Sequence, residues 1–142
     1  MISECCSSNK KTMIVACSGA SNVGQISNQA AVELTREGFG KMFCLAAVGA
    51  HLNNFVVSAQ NVENLVAIDG CPVGCAIRLL EHAEVPVSAY LVVENLGIKK
   101  SMSNIFNADE VEKVKAAVKG CCNSSASLVA DKEASGPSSC CG

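Results

Sequence analysis

The chain has no tryptophan, one tyrosine and four phenylalanines among its 142 residues, so aromatic rings cannot supply its core. Hydrophobic residues still make up 49 % of it, and a core drawn from Val, Ile, Leu and Ala is the composition of a parallel sheet buried on both faces. Histidine is nearly absent. His51 and His82 are too few to build general acid–base chemistry, and each reads as a surface residue. An excess of charge of one sign is also missing: 11 basic against 13 acidic residues, net −2, leaves no electrostatic footprint for nucleic acid or an anionic membrane. No run approaches the roughly 18 apolar residues of a membrane span, and "MISECCSSNKK" has no basic stretch leading into an apolar one. A soluble, cytoplasmic protein is expected, of a length that suits one domain able to fold without metal or disulfide.

Against these scarcities stands a surplus of ten cysteines. A reducing compartment keeps thiols free and disposes them toward metal binding or catalysis rather than cross-linking. Six form adjacent pairs, Cys5-Cys6, Cys121-Cys122 and Cys140-Cys141, while Cys17, Cys44, Cys71 and Cys75 stand inside the apolar body. Adjacent cysteines rarely meet disulfide geometry with each other, so the pairs read either as vicinal dithiols for a soft metal or metalloid or as weakly constrained terminal sequence. Residues 1 to 11 and 121 to 142, rich in Ser, Cys, Lys and Gly, are expected to be flexible tails around a domain from 12 to 120.

Within that domain strand and helix patterns alternate. "TMIVAC", "KMFCLA", "NLVAID" and "VSAYLVVE" read as strands, and "GQISNQAAVELTRE", "AHLNNFVVSAQ", "GCAIRLLEHA" and "ADEVEKVKAAVKG" as the helices between and after them. Asn22 with Gln25 resembles a capping box, as does Asn107 with Glu110, and Gly38 sits where a C-terminal cap belongs. Val111, Val114 and Val118 share one face of the last helix, whose lysines and glutamates read as its solvated side. The order predicts an α/β three-layer sandwich, a mostly parallel sheet of about four strands with helices on both faces.

Functional groups in such sheets collect beyond the carboxyl ends of the strands. Cys17 ends the first strand, Cys71 directly follows the third, and Cys75 lies one turn on, at the start of a helix. If the second strand is short, Cys44 joins them. Four thiols suit the four-coordinate, Cys-only site that zinc prefers, and the C-x3-C spacing of Cys71 and Cys75 falls in the range of zinc-ligand pairs. In "IDGCPVGC", Gly70 and Gly74 allow a tight turn around the sulfurs, and the helix N-terminus that follows is expected to lower a thiol pKa. Asp69 either orients this loop or is a solvated strand-end carboxylate. Two other uses stay open: thiol redox, sulfur transfer or metalloid handling at Cys17 or the Cys71/Cys75 pair, and simple packing. Cys44 in "MFCLAAV" fits a small core residue as well as a ligand.

The loop "CSGASNVG" resembles the oxyanion cradle of low-molecular-weight phosphatases and arsenate reductases, but position 23 is Val and the domain's arginines, Arg36 and Arg78, lie elsewhere. Ser18, Ser21 and Asn22 are left as helix-capping or anion-binding groups. Taken together, "CSGASNVGQISNQAAVEL", "REGFGKMFCLAAVGA" and "AIDGCPVGCA" resemble the DGC-domain proteins, a prokaryotic family named for its central Asp-Gly-Cys motif and regarded as zinc-binding because it carries four potential chelating cysteines. The likeness runs from about Met13 to about Lys119 and makes Asp69, Gly70 and Cys71 the motif. It implies Cys17, Cys44, Cys71 and Cys75 as ligands to one zinc ion, or to another thiophilic metal. It supplies no reaction, and a site closed by four cysteines leaves no open position for water, so a binding protein rather than an enzyme is expected.

Overall fold

A computed structural model describes residues 11–123; the expected tails, with Cys5, Cys6, Cys140 and Cys141, lie outside the described residues except for their junctions with the domain. Four strands, β1 (Thr12–Ala16), β2 (Lys41–Met42), β3 (Asn64–Asp69) and β4 (Ala89–Val92), form one sheet in the order β2-β1-β3-β4. All pairings are parallel, with Ile14 opposite Met42 and Val66, and Val66 in turn opposite Ala89.

Alternation along the strands sorts their side chains into two cores. Ile14, Ala16, Val66, Ile68 and Leu91 face one side, against Ile26 and Leu34 of helix α1 (Asn22–Arg36) and Val111, Val114 and Val118 of α5 (Ala108–Asn123). Val15, Leu65 and Ala67 face the other, against Val48 of α2 (Leu45–Gly49), Ala59 of α3 (Asn53–Asn61) and Leu80 of α4 (Cys75–His82). The sheet is therefore covered on both faces, as the aliphatic composition demands, and the three-layer α/β expectation holds.

Several local expectations change. The apolar run "KMFCLA" pairs for two residues only and then turns into α2, because a short apolar run does not by itself separate strand from helix. The single expected helix after it is two, α2 and α3, joined at His51, whose φ of 55° breaks the helical path. The strand around Tyr90 stops at Val92 and becomes a 3₁₀ turn, Val93–Leu96. Ser21, not Asn22, caps α1, its Oγ accepting from the Gly24 amide at 3.3 Å, and Gln25 donates instead to the Gly19 carbonyl at 2.8 Å. At the far end Gly38 and Phe39 donate to Thr35 and Leu34, the paired bonds of a Schellman cap. The Asn107/Glu110 box at α5 is formed, with both bonds at 3.0 Å.

Helix α5 runs three residues past Gly120, through the expected tail boundary, to Asn123. Its last turn carries Cys121, packed against the core, and Cys122, exposed.

The polar side of α5 is not uniformly solvated. Lys115 is buried, its side chain 4 % exposed, and bridges Glu33, Glu37 and Glu112, while Lys119 pairs with Glu37 at 2.7 Å. Hydrogen bonds from Gln29 and Lys115 lower the Glu33 pKa, and those from Lys115 and Lys119 lower that of Glu37. Carboxylates depressed in the folded state contribute stability above their ordinary pKa, and it is lost as pH falls through the depressed value. Lys115→Met leaves three carboxylates facing one another, so its Tm is expected below the parent's at pH 7, with the gap narrowing toward pH 4 as they protonate. A pH-independent gap in thermal melts would refute this account of the α1–α5 contact.

Candidate thiol site at the carboxyl edge

The polypeptide reaches the carboxyl edge of the sheet three times with a cysteine close at hand. Cys17 extends β1 by one residue, its amide donating to the Ile68 carbonyl at 2.9 Å. Cys71 follows β3 after Gly70 and opens a turn closed by the Gly74 amide on the Cys71 carbonyl at 3.1 Å, with Pro72 in the position that favours such turns. Gly74 adopts φ 68°, a left-handed conformation that costs a residue without Cβ little, and hands the chain to Cys75, the first residue of α4.

Asp69 fixes this turn. Its carboxylate, 1 % exposed, accepts from the Ala76 amide at 2.8 Å, the Ile77 amide at 3.0 Å and the Tyr90 hydroxyl at 3.0 Å. Gly74 has no side chain with which to cap α4, so the aspartate supplies the cap from the end of the neighbouring strand. Burial and the adjacent Asp69 charge push the Tyr90 pKa far up, keeping the phenol a donor. Asp69 thus orients the loop by accepting backbone hydrogen bonds as a strand-end carboxylate, and it is buried rather than solvated.

A second tie comes from the segment after the 3₁₀ turn. Asn22 donates its side-chain amide to the Lys99 carbonyl at 2.9 Å and accepts from the Ser101 amide at 2.7 Å, while its own amide donates to the Ser101 carbonyl. Lys100 between them donates to Cys71 Sγ at 3.5 Å. Gly70 is pressed onto the first turn of α1: a Cβ there would lie 2.7 Å from the Gly24 nitrogen. Tyr90, Lys100 and Gly24 were not among the residues the sequence singled out, and only Tyr90, the lone tyrosine, carried a visible signal.

The thiols themselves are unequally placed. Cys17 and Cys71 are half-buried at the ends of β1 and β3, and Cys75 is exposed at the start of α4. Loss of hydration is the first cause raising the Cys75 pKa, followed by Cys17, Asp69 and Cys71. That is opposite to the lowering expected at a helix N-terminus, because the loss of water around the thiol, with Cys17, Asp69 and Cys71 beside it, disfavours the thiolate. Cys44 caps α2 with its backbone and is exposed, two residues beyond the last paired residue of the edge strand. Among the described residues the set of three or more candidate ligands whose donor atoms all lie within 4.8 Å of one another is Glu33, Glu37 and Glu112, and Lys115 stands among them as their cation.

Zinc–sulfur bonds of about 2.3 Å in a tetrahedron set sulfurs about 3.8 Å apart. The donor chemistry of Cys17, Cys44, Cys71 and Cys75, all of them free thiols, fits such an ion. An open depression of about 530 Å³ lined by Met13, Phe39, Phe43 and Val62 lies at the opposite, amino edge. His51 and His82 are both exposed and stack edge to face at 4.9 Å. Among the described residues no helix is long and apolar enough to cross a membrane.

With Asp69, Gly70 and Cys71 seen as cap, close-packing point and thiol, the comparison with known proteins becomes interpretable. The family model of the DGC domain matches residues 13–118. The chain belongs to the DGC-domain family. A relative is the anaerobic and virulence modulator AnvM of Pseudomonas aeruginosa, 33 % identical over 102 residues that cover 72 % of this chain and 78 % of AnvM. No solved structure gives a significant match. The matched region spans the sheet and both helical layers, so the DGC domain is this α/β sandwich, and its name-giving motif is the turn that carries Cys71.

Proposed function

We propose that the protein binds one zinc ion, or another thiophilic metal, as thiolates of Cys17, Cys44, Cys71 and Cys75, and that it acts by binding rather than by catalysis. The observation that supports this reading is that Cys17 follows β1 and Cys71 and Cys75 follow its neighbour β3 at one sheet edge, the latter two on a turn held by the buried Asp69. Four sulfurs close the coordination sphere, so the metal would brace this edge or be carried there. The name of the Pseudomonas relative, a modulator, favours a regulatory binding role.

Elemental analysis of protein isolated without oxygen and without a metal-binding tag is the test. About one zinc per chain is expected, unchanged when the six paired cysteines are serine, and lost in Cys71→Ser and in Cys44→Ser. Chelation should lower the Tm of the parent and not that of Cys71→Ser. Metal that leaves with the paired cysteines, or that is absent throughout, would sink the reading.

A second reading has its own observation, the exposed Cys75 at the head of α4: thiol chemistry or metalloid handling by fewer than four cysteines. Rapid alkylation of one thiol in fully folded, metal-free protein would favour it.

A further inference from the structure

We infer that His51 and His82 form an open two-imidazole site for a divalent transition ion of the nickel(II) and copper(II) class. The site is separate from the thiol edge and does not depend on it. These are the two histidines of the chain, and the fold sets their rings side by side, with centres 4.9 Å apart and planes at 85°. Metal–nitrogen bonds of about 2.0–2.1 Å put each ring centre about 3.2 Å from a shared ion. At bond angles from about 90° to about 109° two such centres lie about 4.5–5.2 Å apart, and the observed separation falls inside that interval. The angle between the planes is free in such a chelate, because each ring can turn about its metal–nitrogen bond.

Helix packing builds the pairing. Gly49 of α2 lies against α4, where an added Cβ would stand 3.0 Å from Leu79 Cδ2. The two helices therefore end side by side, with His51 just past one and His82 the last residue of the other. The His51 amide donates to the Val48 carbonyl and that of Leu52 to Ala47, the paired bonds of a Schellman cap, with His51 at φ 55° in the place where glycine is usual. A side chain is uncommon in that conformation, and the one found here is an imidazole. Both histidines are exposed, which leaves the remaining coordination positions to water. Cations are favoured at helix C-termini. Glu81 and Glu84 are the charged residues beside His82, α2 and α3 contribute none, and Arg78 is turned back through its Nε to the Val73 carbonyl at 2.8 Å. The length of α4 sets the pair about 10 Å along its axis from Cys75, and imidazole suits nickel and copper where thiolate suits softer ions.

The test is a titration of the full-length chain with nickel chloride, without oxygen, while NMR follows the ring protons of the two histidines. Both signals are expected to respond with one shared midpoint below millimolar nickel. In His51→Gly and in His82→Gln the midpoint of the histidine that remains should rise at least about tenfold, because one of two linked ligands is gone. His51→Gly is expected to melt no lower than the parent, since glycine takes a positive φ freely, so a nickel site lost there is not a fold lost. Midpoints that differ between the two histidines, or no response by millimolar nickel, would overturn the inference. So would a midpoint that neither substitution moves, which is the pattern of nickel held at the thiol edge alone. Zinc counted at the four cysteines bears only on the reading above, and either site can fail without the other.

Discussion

Replacing Asp69 by alanine is expected to destabilise the protein by about 3 kcal/mol or more, because a buried acceptor of three hydrogen bonds vanishes and its donors stay behind. Those donors are the Ala76 and Ile77 amides and the Tyr90 hydroxyl. Each bond to a charged acceptor contributes about 1.5–3 kcal/mol, but their sum overstates the loss, since water can enter from the carboxyl edge. Asp69→Asn is the control for shape. Its oxygen can still accept from an α4 amide and its NH2 can donate to the Tyr90 oxygen, so a cost of about 1–2 kcal/mol is expected. Urea unfolding measures both. The thiols give an independent readout: Cys71 and Cys75 should be alkylated faster in Asp69→Ala under conditions where circular dichroism finds it folded, and at near-parental rates in Asp69→Asn. An Asp69→Ala protein within 1 kcal/mol of the parent would remove the aspartate from its role as the cap of α4.

That role marks where reading from sequence alone gives out. Strand β3 stands where the run "NLVAID" puts it, and the valines of α5 lie on the buried face their spacing implies, because apolar periodicity is written locally. Edge strand β2 is different: two residues of pairing leave little pattern, and "LAAVG" is as good a helix as a strand. Cys17, Cys44, Cys71 and Cys75 were grouped from the sequence because strand ends define one edge. Their neighbours were not. Asn22 holds a segment 77 to 79 residues away, and Lys115 binds Glu33 across 82. Neither separation has a local signature, and a lysine in a charged helix looks solvated until a second helix is laid against it. The thiol pKa expectation failed for the same reason, since the burial that raises the Cys75 pKa and the neighbouring Cys17 and Asp69 come from different elements.

The glycines at this edge supply a test in which backbone preference and packing predict opposite signs. Gly24 lies in the first turn of α1, where exchange for alanine ordinarily stabilises by up to about 1 kcal/mol. Here a Cβ would stand 2.8 Å from the nitrogen and oxygen of Gly19, and one on Gly70 would stand 2.7 Å from Gly24 nitrogen and 2.8 Å from the Val23 carbonyl carbon. These are backbone atoms, unable to swing aside as a side-chain end would. Either substitution has to lift the β1 loop, the β3 turn or the start of α1 from the others. Gly70→Ala is expected to cost about 2–4 kcal/mol and Gly24→Ala about 1–3 kcal/mol. Gly120→Ala is the matched control, a helical position with no atom within 4 Å of the added carbon, where a gain of about 0.5–1 kcal/mol is expected. Because Cys17 sits in the lifted loop and Cys71 and Cys75 in the lifted turn, Gly70→Ala should also weaken binding of whichever thiophilic ligand the site takes, while Gly120→Ala leaves it unchanged. Chemical denaturation of the three variants, beside metal and arsenic titrations, decides the matter. A Gly70→Ala protein as stable as the parent would mean that the two loops are not pressed together, and that something other than this contact sets the positions of the thiols.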